Sequence, residues 1–235
     1  MTEKWYENDS LRKECSATVL STEDMGDHFE IILDGTVIFP EGGGQLSDRG
    51  WIDDVPVYYA AESGDDVRHF THKALPVGKK VTVHLDWDVR LDRMQQHCGE
   101  HMLSYAFWKA CGANNVGFHM NEESVFIDLD KEVDEKIVQQ AELAANAAVW
   151  ENHPITLHYV PHTELGQYGL RKKNDKLRGI VRLVDIKEGD TCTCCGTHPP
   201  FTGMVGLIKV IRFSRYKGGS RIEFLCGKRA VEAVH

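Results

Sequence analysis

Apolar and polar residues alternate over short stretches in the first third of the chain, and this pattern predicts β-strands rather than helices. Each stretch is bounded by Asp, Gly or Pro residues, which are typical of turns. The predicted strands are residues 16–20, 28–33, 36–39, 51–59 and 80–85. No part of residues 1–88 shows a helical period, so we expect a small β-barrel or β-sandwich there.

After Asp88 the apolar residues recur three and four positions apart, which predicts a helix over residues 89–111 that ends before Gly112. A second helix is expected over 132–150, a segment rich in Ala, Gln and Glu. Further strands are predicted at 124–129, 155–160, 179–186, 205–213 and 220–226. The overall class is therefore α+β, with one domain over 1–88 and a second, α+β domain over 89–235.

The net charge of the 235-residue chain is −9, which argues against a uniformly basic nucleic-acid binder. The charge is unevenly distributed, however. Residues 1–88 carry 8 basic and 18 acidic side chains, whereas residues 89–235 carry 19 and 18. The basic side chains of the second part concentrate in two segments, 171–182 and 209–229. A solvated surface explains such segments as well as a phosphate-binding site does.

The sequence predicts a cytoplasmic protein. No apolar run is long enough to span a membrane, and the first residues contain no apolar signal segment. The seven Cys residues are an odd number, which favours a reducing compartment over a disulfide framework.

His97 and His101 are four positions apart on the first predicted helix, so their side chains lie on one face, one turn apart. Far downstream, Cys194 and His198 are also four positions apart, just after a predicted strand. Imidazole and thiolate are both zinc ligands. Neither pair is specific alone, but the two together predict a zinc site.

Three cysteines compete for the thiolate position, namely Cys192, Cys194 and Cys195. Cys194 is favoured because its spacing from His198, with Gly196 between them, lets the turn close around a metal. The other two thiols are expected to pack or to be bystanders.

The sequence His97-Cys98-Gly99-Glu100-His101 also matches the HxxEH signature of inverted zinc peptidases, in which the Glu is the general base. Those enzymes take their third ligand from a downstream carboxylate. Here the obvious downstream ligands are a Cys and a His, so this alternative is the weaker one.

Three consecutive glycines, Gly42, Gly43 and Gly44, lie in a polar stretch that ends with Asp48, Arg49 and Gly50. The stretch is not a nucleotide-binding P-loop, because it lacks the Lys-Ser/Thr pair and the following helix. Its polar residues favour a binding loop over a merely flexible hairpin.

Several motifs in one order and spacing carry a family resemblance. They are Pro40-Glu41-Gly42-Gly43-Gly44-Gln45, Asp48-Arg49-Gly50, Met94-Gln95-Gln96-His97 with His101, Val181-Arg182-Leu183-Val184, and Cys194 to His198 followed by Thr202-Gly203 and Gly206. Over about residues 35–227 the chain thus resembles the free-standing alanyl-tRNA editing proteins, which are similar to the editing domain of alanyl-tRNA synthetase.

The resemblance implies a β-barrel-like N-terminal domain with the Gly-rich loop and a C-terminal α+β editing domain. It implies hydrolysis of the ester in tRNA(Ala) mischarged with serine, with glycine as a second expected substrate. One zinc ion per chain would be held by His97, His101, Cys194 and His198. The implied substrate contacts in the Gly-rich loop are Gly42, Gly43, Gly44 and Gln45.

Ester hydrolysis needs a positioned water, a polarised carbonyl and a route for the proton. Glu100 is the candidate general base or water-positioning residue, and a solvated helix carboxylate is the competing interpretation. His119, expected in the loop after the first helix, either lines the pocket or is structural. The candidate partners of a serine hydroxyl are Gln45, Thr197 and Cys98.

The chain departs from the family at two positions. Cys98 stands where the family has Thr or Ser, and Cys195 stands where it has Gly. The tRNA acceptor end is expected to contact the basic segments. The candidates are Arg171, Lys172, Lys173, Lys176, Arg178, Arg212, Arg215, Lys217 and Arg221. The alternative function is a non-catalytic, zinc-stabilised tRNA-binding module.

Overall fold

The computed structural model of the protein describes residues 1–171 and 177–234. The chain divides into two compact units, Met1–Arg93 and Met94–His235. The sequence predicted a boundary between residues 88 and 89, whereas this division lies inside a helix. Within the described residues no helix combines the length and apolar character needed to cross a membrane.

The first unit is built from β-strands. Its strands are β1 (Glu3–Lys4), β2 (Glu14–Asp24), β3 (Phe29–Leu33), β4 (Gly35–Thr36), β5 (Gly50–Ile52), β6 (Val55–Val57), β7 (Tyr59–Ser63), β8 (Asp66–Thr71) and β9 (Lys80–Leu85). Seven of them form one antiparallel sheet in the order β6-β5-β9-β2-β3-β8-β7. The edge strands β6 and β7 are separated in the chain by Tyr58 alone, so the sheet curls until its edges nearly meet.

Alternation along these strands directs apolar side chains into a single core. In β9, for example, Val81, Val83 and Leu85 are buried while the residues between them are more exposed. The core also contains a buried histidine, His69 of β8. Its Nδ1 lies 3.0 Å from the Ile31 carbonyl oxygen, which can only accept, so Nδ1 carries the proton. Nε2 therefore accepts from the Thr36 hydroxyl at 2.8 Å, and burial lowers the pKa of His69 to about 4.

A buried ion pair fixes the base of the Gly-rich segment. The guanidinium of Arg90 contacts the Asp48 carboxylate, and both side chains are fully buried. The same Asp48 oxygen accepts from the backbone N–H of Phe39 at 2.7 Å, and Arg90 also donates to the carbonyl oxygens of Ser10 and Val37. The two arms of the segment are thereby held to one carboxylate.

The second unit contains helices and two antiparallel sheets. Its helices are α1 (Trp87–Cys111, which begins before the division), α2 (Glu135–Glu151) and α3 (Gly227–Ala233). Its strands are β10 (Asn115–Met120), β11 (Val125–Leu129), β12 (Ile155–Pro161), β13 (Ile180–Ile186), β14 (Thr191–Thr193), β15 (Ile208–Tyr216) and β16 (Gly219–Cys226). One sheet has the order β10-β11-β16-β15 and the other β12-β13-β14.

Helix α1 is fixed against the end of β16. The amide of Gln96 accepts from the backbone N–H of Cys226 at 2.8 Å and donates to the Cys226 carbonyl oxygen at 2.9 Å. Next to it, a Cβ added at Gly99 would lie 2.2 Å from the Cys226 sulfur, so this close approach requires glycine. The contact fixes the direction in which the following turns of α1 point their side chains.

The expectation of a mixed α and β chain with a nearly closed antiparallel sheet is confirmed. Some element boundaries were wrong. The strand expected over 51–59 is split, because Asp53 has a left-handed backbone (φ 52°) and turns β5 back into β6. The segment expected over 36–39 pairs only at Gly35–Thr36, and the sequence did not predict β8, β10, β14 or α3.

Candidate metal centre

Two of the four predicted ligands lie one turn apart on α1, and both are buried. The Nε2 atoms of His97 and His101 are 3.2 Å apart. The ring of Phe118, on β10, packs edge-on against His97 with 5.6 Å between centroids. The helix therefore presents two imidazole nitrogens to the same point.

The other two ligands lie in the turn after β14. This strand pairs with β13 through Val184 and Cys192, which brings Cys194 beside Arg182. The Arg182 guanidinium donates to the carbonyl oxygens of Cys194 and Gly196 at 2.7 and 2.9 Å. The Gly196 N–H in turn donates to the Cys194 sulfur at 3.3 Å. A residue from a basic segment thus holds the Cys turn in shape.

The four side chains converge. The Cys194 sulfur is 3.0 Å from His97 Nε2 and 3.3 Å from His198 Nε2. One donor atom from each of His97, His101, Cys194 and His198 lies within 4.8 Å of the other three, so the group could hold a metal ion. Cys195 is exposed and does not belong to this group.

The protonation states of Cys194 and His198 suit metal ligation, whereas His101 must lose a proton when a metal binds. Burial lowers the pKa of His101, but the neighbouring Cys192 and Glu100 outweigh it and raise that pKa well above the usual value. Burial raises the pKa of the Cys194 thiol, but the neighbouring His97 and His198 imidazoles outweigh it, so its pKa lies well below the usual value. Burial lowers the pKa of His198 to about 3, which keeps its imidazole neutral. Thiolate and neutral imidazole are the forms that bind metals.

Glu100 is buried, not a solvated carboxylate. Its Oε1 accepts from the Ser104 hydroxyl at 2.7 Å and from the Asn115 amide at 2.6 Å. Its Oε2 lies 3.8 Å from His101 Nε2. Sequence analysis did not identify Ser104 and Asn115, although the spacing of four residues between Glu100 and Ser104 on a helix indicates their proximity.

Arg171 has a different environment from the one expected of a tRNA contact. Its guanidinium makes two hydrogen bonds to Asp190, at 3.2 and 2.9 Å, and both side chains are buried. Asp190 and Cys192 in turn face Nδ1 of His101, at 3.8 and 3.2 Å. The Arg171 guanidinium therefore pairs inside the protein, and its expected contact with tRNA stays a prediction.

The remaining residues proposed for catalysis occupy different places. Thr197 is buried next to the ligand His198, and Cys98 is fully buried, with its thiol pKa raised to about 12 by burial. His119 lies in β10 rather than in a loop, 60% exposed, with Nε2 3.4 Å from Asp128. Successive residues of a strand point to opposite faces, so His119 faces away from the side on which Phe118 contacts His97.

The Gly-rich segment forms a tight hairpin turn. Gly42 and Gln45 exchange two backbone hydrogen bonds of 3.1 and 3.0 Å, and Gly43 and Gly44 both have positive φ, at 60° and 83°. This is the pattern of a type I′ turn, which favours glycine at both central positions. The turn therefore has a defined hydrogen-bonded geometry, with Gly43 and Gly44 exposed and Gln45 buried.

Several basic candidates lie on the surface of the second unit. Arg215 is 84% exposed and pairs with Glu132, and Arg212 is exposed and pairs with Glu223. Arg178 is exposed as well. The tRNA-contact candidates Lys172, Lys173 and Lys176 lie outside the described residues.

Comparison with known proteins finds a family model that matches part of this unit. Residues 181–223 match the family model described as "Threonyl and Alanyl tRNA synthetase second additional domain". This range includes most of β13, the Cys194–His198 turn and most of the β15–β16 hairpin.

Relatives that match nearly the whole of this chain give a more specific comparison. The chain is 33% identical over 244 residues to the alanyl-tRNA editing protein AlaX-L of Pyrococcus horikoshii, covering 100% of this chain and 60% of that protein. It is 31% identical over 228 residues to the alanyl-tRNA editing protein Aarsd1 of Mus musculus, covering 93% and 55%. It is 33% identical over 245 residues to an alanine–tRNA ligase of Pyrococcus abyssi, covering 98% and 26%.

These comparisons confirm the resemblance found in the sequence: the chain is a relative of the alanyl-tRNA editing proteins. It spans about 60% of the length of the editing proteins that it matches.

Proposed function

We propose that the protein hydrolyses the ester bond of mischarged tRNA(Ala) in the cytoplasm, with serine as the expected amino acid and glycine as the second. The observation that carries the proposal is the convergence of His97, His101, Cys194 and His198 beside the buried carboxylate of Glu100. That the relatives are named as alanyl-tRNA editing proteins supports tRNA(Ala) as the substrate.

The donor set fits zinc. Tetrahedral zinc with bonds of about 2.0–2.3 Å places neighbouring N and S ligands roughly 3.3–3.6 Å apart. The separations of 3.0, 3.2 and 3.3 Å between donors in this group are close to that spacing. When bound, zinc would supply positive charge and Lewis acidity next to Glu100.

Glu100 is the proposed general base, acting through Oε2. Its other oxygen is occupied by Ser104 and Asn115, which fix the carboxylate in place. Oε2 accepts a proton from water as the water oxygen bonds to the ester carbonyl carbon. The bond from that carbon to the ribose oxygen then breaks, and the ribose oxygen takes up the proton, which releases amino acid and tRNA.

Substrate recognition is proposed at three places. Thr197 is a candidate hydrogen-bond partner for the serine hydroxyl, since a site built around such a bond discriminates strongly against alanine. The exposed turn at Gly43 and Gly44 is a candidate backbone contact. The exposed Arg212 and Arg215 are candidates for phosphate contacts, which position an RNA without reading its sequence.

The test is a deacylation assay with Ser-, Gly- and Ala-tRNA(Ala), with and without a chelator. We expect release of serine, little release of alanine, and loss of activity with chelator, in His97→Ala and in Cys194→Ala. Cys195→Ser is the matched control because Cys195 is exposed and outside the ligand group. Full turnover by metal-free Cys194→Ala would refute the assigned centre.

Two other functions give different results in the same experiments. A non-catalytic module would bind tRNA(Ala) without releasing any amino acid. A peptidase of the HxxEH type would cleave peptides and lose that activity in Glu100→Gln. The downstream donors of this centre are a Cys and a His rather than a carboxylate, which favours the editing function over the peptidase.

A further inference from the structure

A buried series of polar contacts begins at Nδ1 of His101, the ring nitrogen that does not face the other donors of the candidate metal centre. Arg171 donates to both oxygens of Asp190, Asp190 Oδ2 lies 3.8 Å from His101 Nδ1, and the Cys192 sulfur lies 3.2 Å from the same nitrogen. Asp190 is almost completely buried, at 1% exposure. Burying a carboxylate and a guanidinium together costs desolvation free energy, so the presence of this buried pair needs an explanation.

The two nitrogens of His101 have different surroundings. Nε2 faces the other donors of the centre, 3.2 Å from His97 Nε2. A ligand nitrogen must be free of its proton, so the proton of a neutral His101 sits on Nδ1. Two groups face Nδ1. The Cys192 sulfur, at 3.2 Å, can accept the proton and direct its own proton to the Val184 carbonyl oxygen at 3.9 Å. The Asp190 carboxylate, at 3.8 Å, lies beyond hydrogen-bond distance and attracts the proton through its charge.

We infer that Asp190 is a positioning residue for His101, and that Arg171 holds Asp190 in place for this purpose. The inference rests on the metal-binding part of the proposed function. A metal-bound His commonly donates its second N–H to a carboxylate, which fixes the ring orientation and makes the ligand nitrogen more basic. Here Cys192 is the direct acceptor of that proton, and Asp190 acts on it through its negative charge from 3.8 Å.

His101, Asp190 and Cys192 also lie close enough together to hold a metal themselves. Arg171 argues against a second ion. Both carboxylate oxygens of Asp190 already accept from its guanidinium, so an added cation would lie beside an existing positive charge. We therefore expect one metal ion per chain.

The test measures metal affinity, not activity. In Asp190→Asn, chelator competition should show zinc affinity reduced about 10–100-fold, the usual effect of losing such a partner. Arg171→Met should reduce it less, and the double variant should equal Asp190→Asn, because Arg171 acts through Asp190. The absorption bands of the Co²⁺-loaded protein should shift in Asp190→Asn.

Asp128→Asn is the matched control. Asp128 also accepts two hydrogen bonds from one arginine, Arg221, at 2.6 and 2.8 Å, and it does not belong to either ligand group. Its replacement should leave zinc affinity unchanged. Thermal unfolding of the metal-free variants separates lost ligand positioning from a general loss of stability.

Unchanged zinc affinity in folded Asp190→Asn would overturn the inference, as would two tightly bound zinc ions per chain. If Asp190→Asn does not fold, Arg171→Met and Arg171→Lys carry the test: Met should lower the affinity and Lys should restore part of it. Equal affinity in all three proteins would overturn the inference. A wild-type protein that binds zinc but releases no serine would refute the proposed function alone.

Discussion

Replacing Glu100 by Gln tests the proposed chemistry most directly, because the substitution changes charge with little change in shape. The amide oxygen of Gln can accept the hydrogen bonds from Ser104 and Asn115 that Oε1 now accepts, at 2.7 and 2.6 Å. The loss of charge in these two bonds should cost stability by about 1–3 kcal/mol. The amide that replaces Oε2 cannot accept a proton from water.

The catalytic effect should be larger than the structural one. Loss of a general base typically reduces the rate about 10²–10⁴-fold, which corresponds to about 2.7–5.4 kcal/mol in the activation free energy. The assay is single-turnover release of labelled serine from Ser-tRNA(Ala), with metal content measured on the same samples. Ser104→Ala is the companion variant, since it removes one donor to Oε1 and keeps the carboxylate. Its rate should fall by roughly tenfold or less.

Two results would contradict this reasoning. A Glu100→Gln protein that retains full metal and more than a third of the wild-type rate would show that the carboxylate takes no proton in the rate-limiting step. A protein that loses metal and activity in parallel would show instead that Glu100 acts through His101, its neighbour at 3.8 Å.

Other predictions concern parts of the molecule away from Glu100. Burial lowers the pKa of His69 to about 4, so between pH 6.5 and 4 the unfolded chain binds a proton at this residue that the folded protein does not. The free energy of unfolding should therefore fall by about 1.4 kcal/mol per pH unit as the pH drops over this range. Urea unfolding of wild type and His69→Gln at several pH values measures this pH dependence. Arg90→Met leaves Asp48 buried without its cation and should lower the free energy of unfolding of the first unit by about 3–5 kcal/mol, measured by urea denaturation. Cys195→Ser should leave the metal content and affinity unchanged, measured by chelator competition.

Each of these has a contrary outcome. An NMR titration that gives His69 an ordinary pKa near 6.5, or equal pH dependence of wild type and His69→Gln, would show that this histidine does not destabilise the fold in acid. A loss below about 1 kcal/mol in Arg90→Met would mean that Asp48 finds water or another donor. Loss of metal in Cys195→Ser would mean that Cys195, rather than Cys194 alone, binds the metal.

The sequence predicted the elements with strong periodicity and missed those fixed by tertiary contacts. Helix α1 was expected over 89–111 from apolar residues three and four positions apart, and it spans Trp87–Cys111. Strand β10 (Asn115–Met120) was missed: it contains Gly117, alternates poorly and depends on pairing with β11. The sequence around Asp53 did not predict its left-handed backbone conformation.

The candidate site shows the same division. The spacing in the sequence predicted that His97 lies near His101 and that Cys194 lies near His198. The structure shows that the two pairs lie together. The partners of the basic residues were not predictable, because pairing depends on folding. Arg171 is separated from Asp190 by 19 positions, and nothing in its sequence neighbourhood distinguishes it from a surface arginine.

The candidate metal centre joins two segments 97 positions apart in the chain, at His97 and Cys194. A metal held there acts as a cross-link as well as a chemical group. Closing a loop of that length removes conformational freedom from the unfolded chain, by about 4–5 kcal/mol when the closure is covalent. Removal of the metal should therefore loosen the attachment of the turn after β14 to α1. Protease sensitivity at that turn would then report metal loss before any assay of the reaction does.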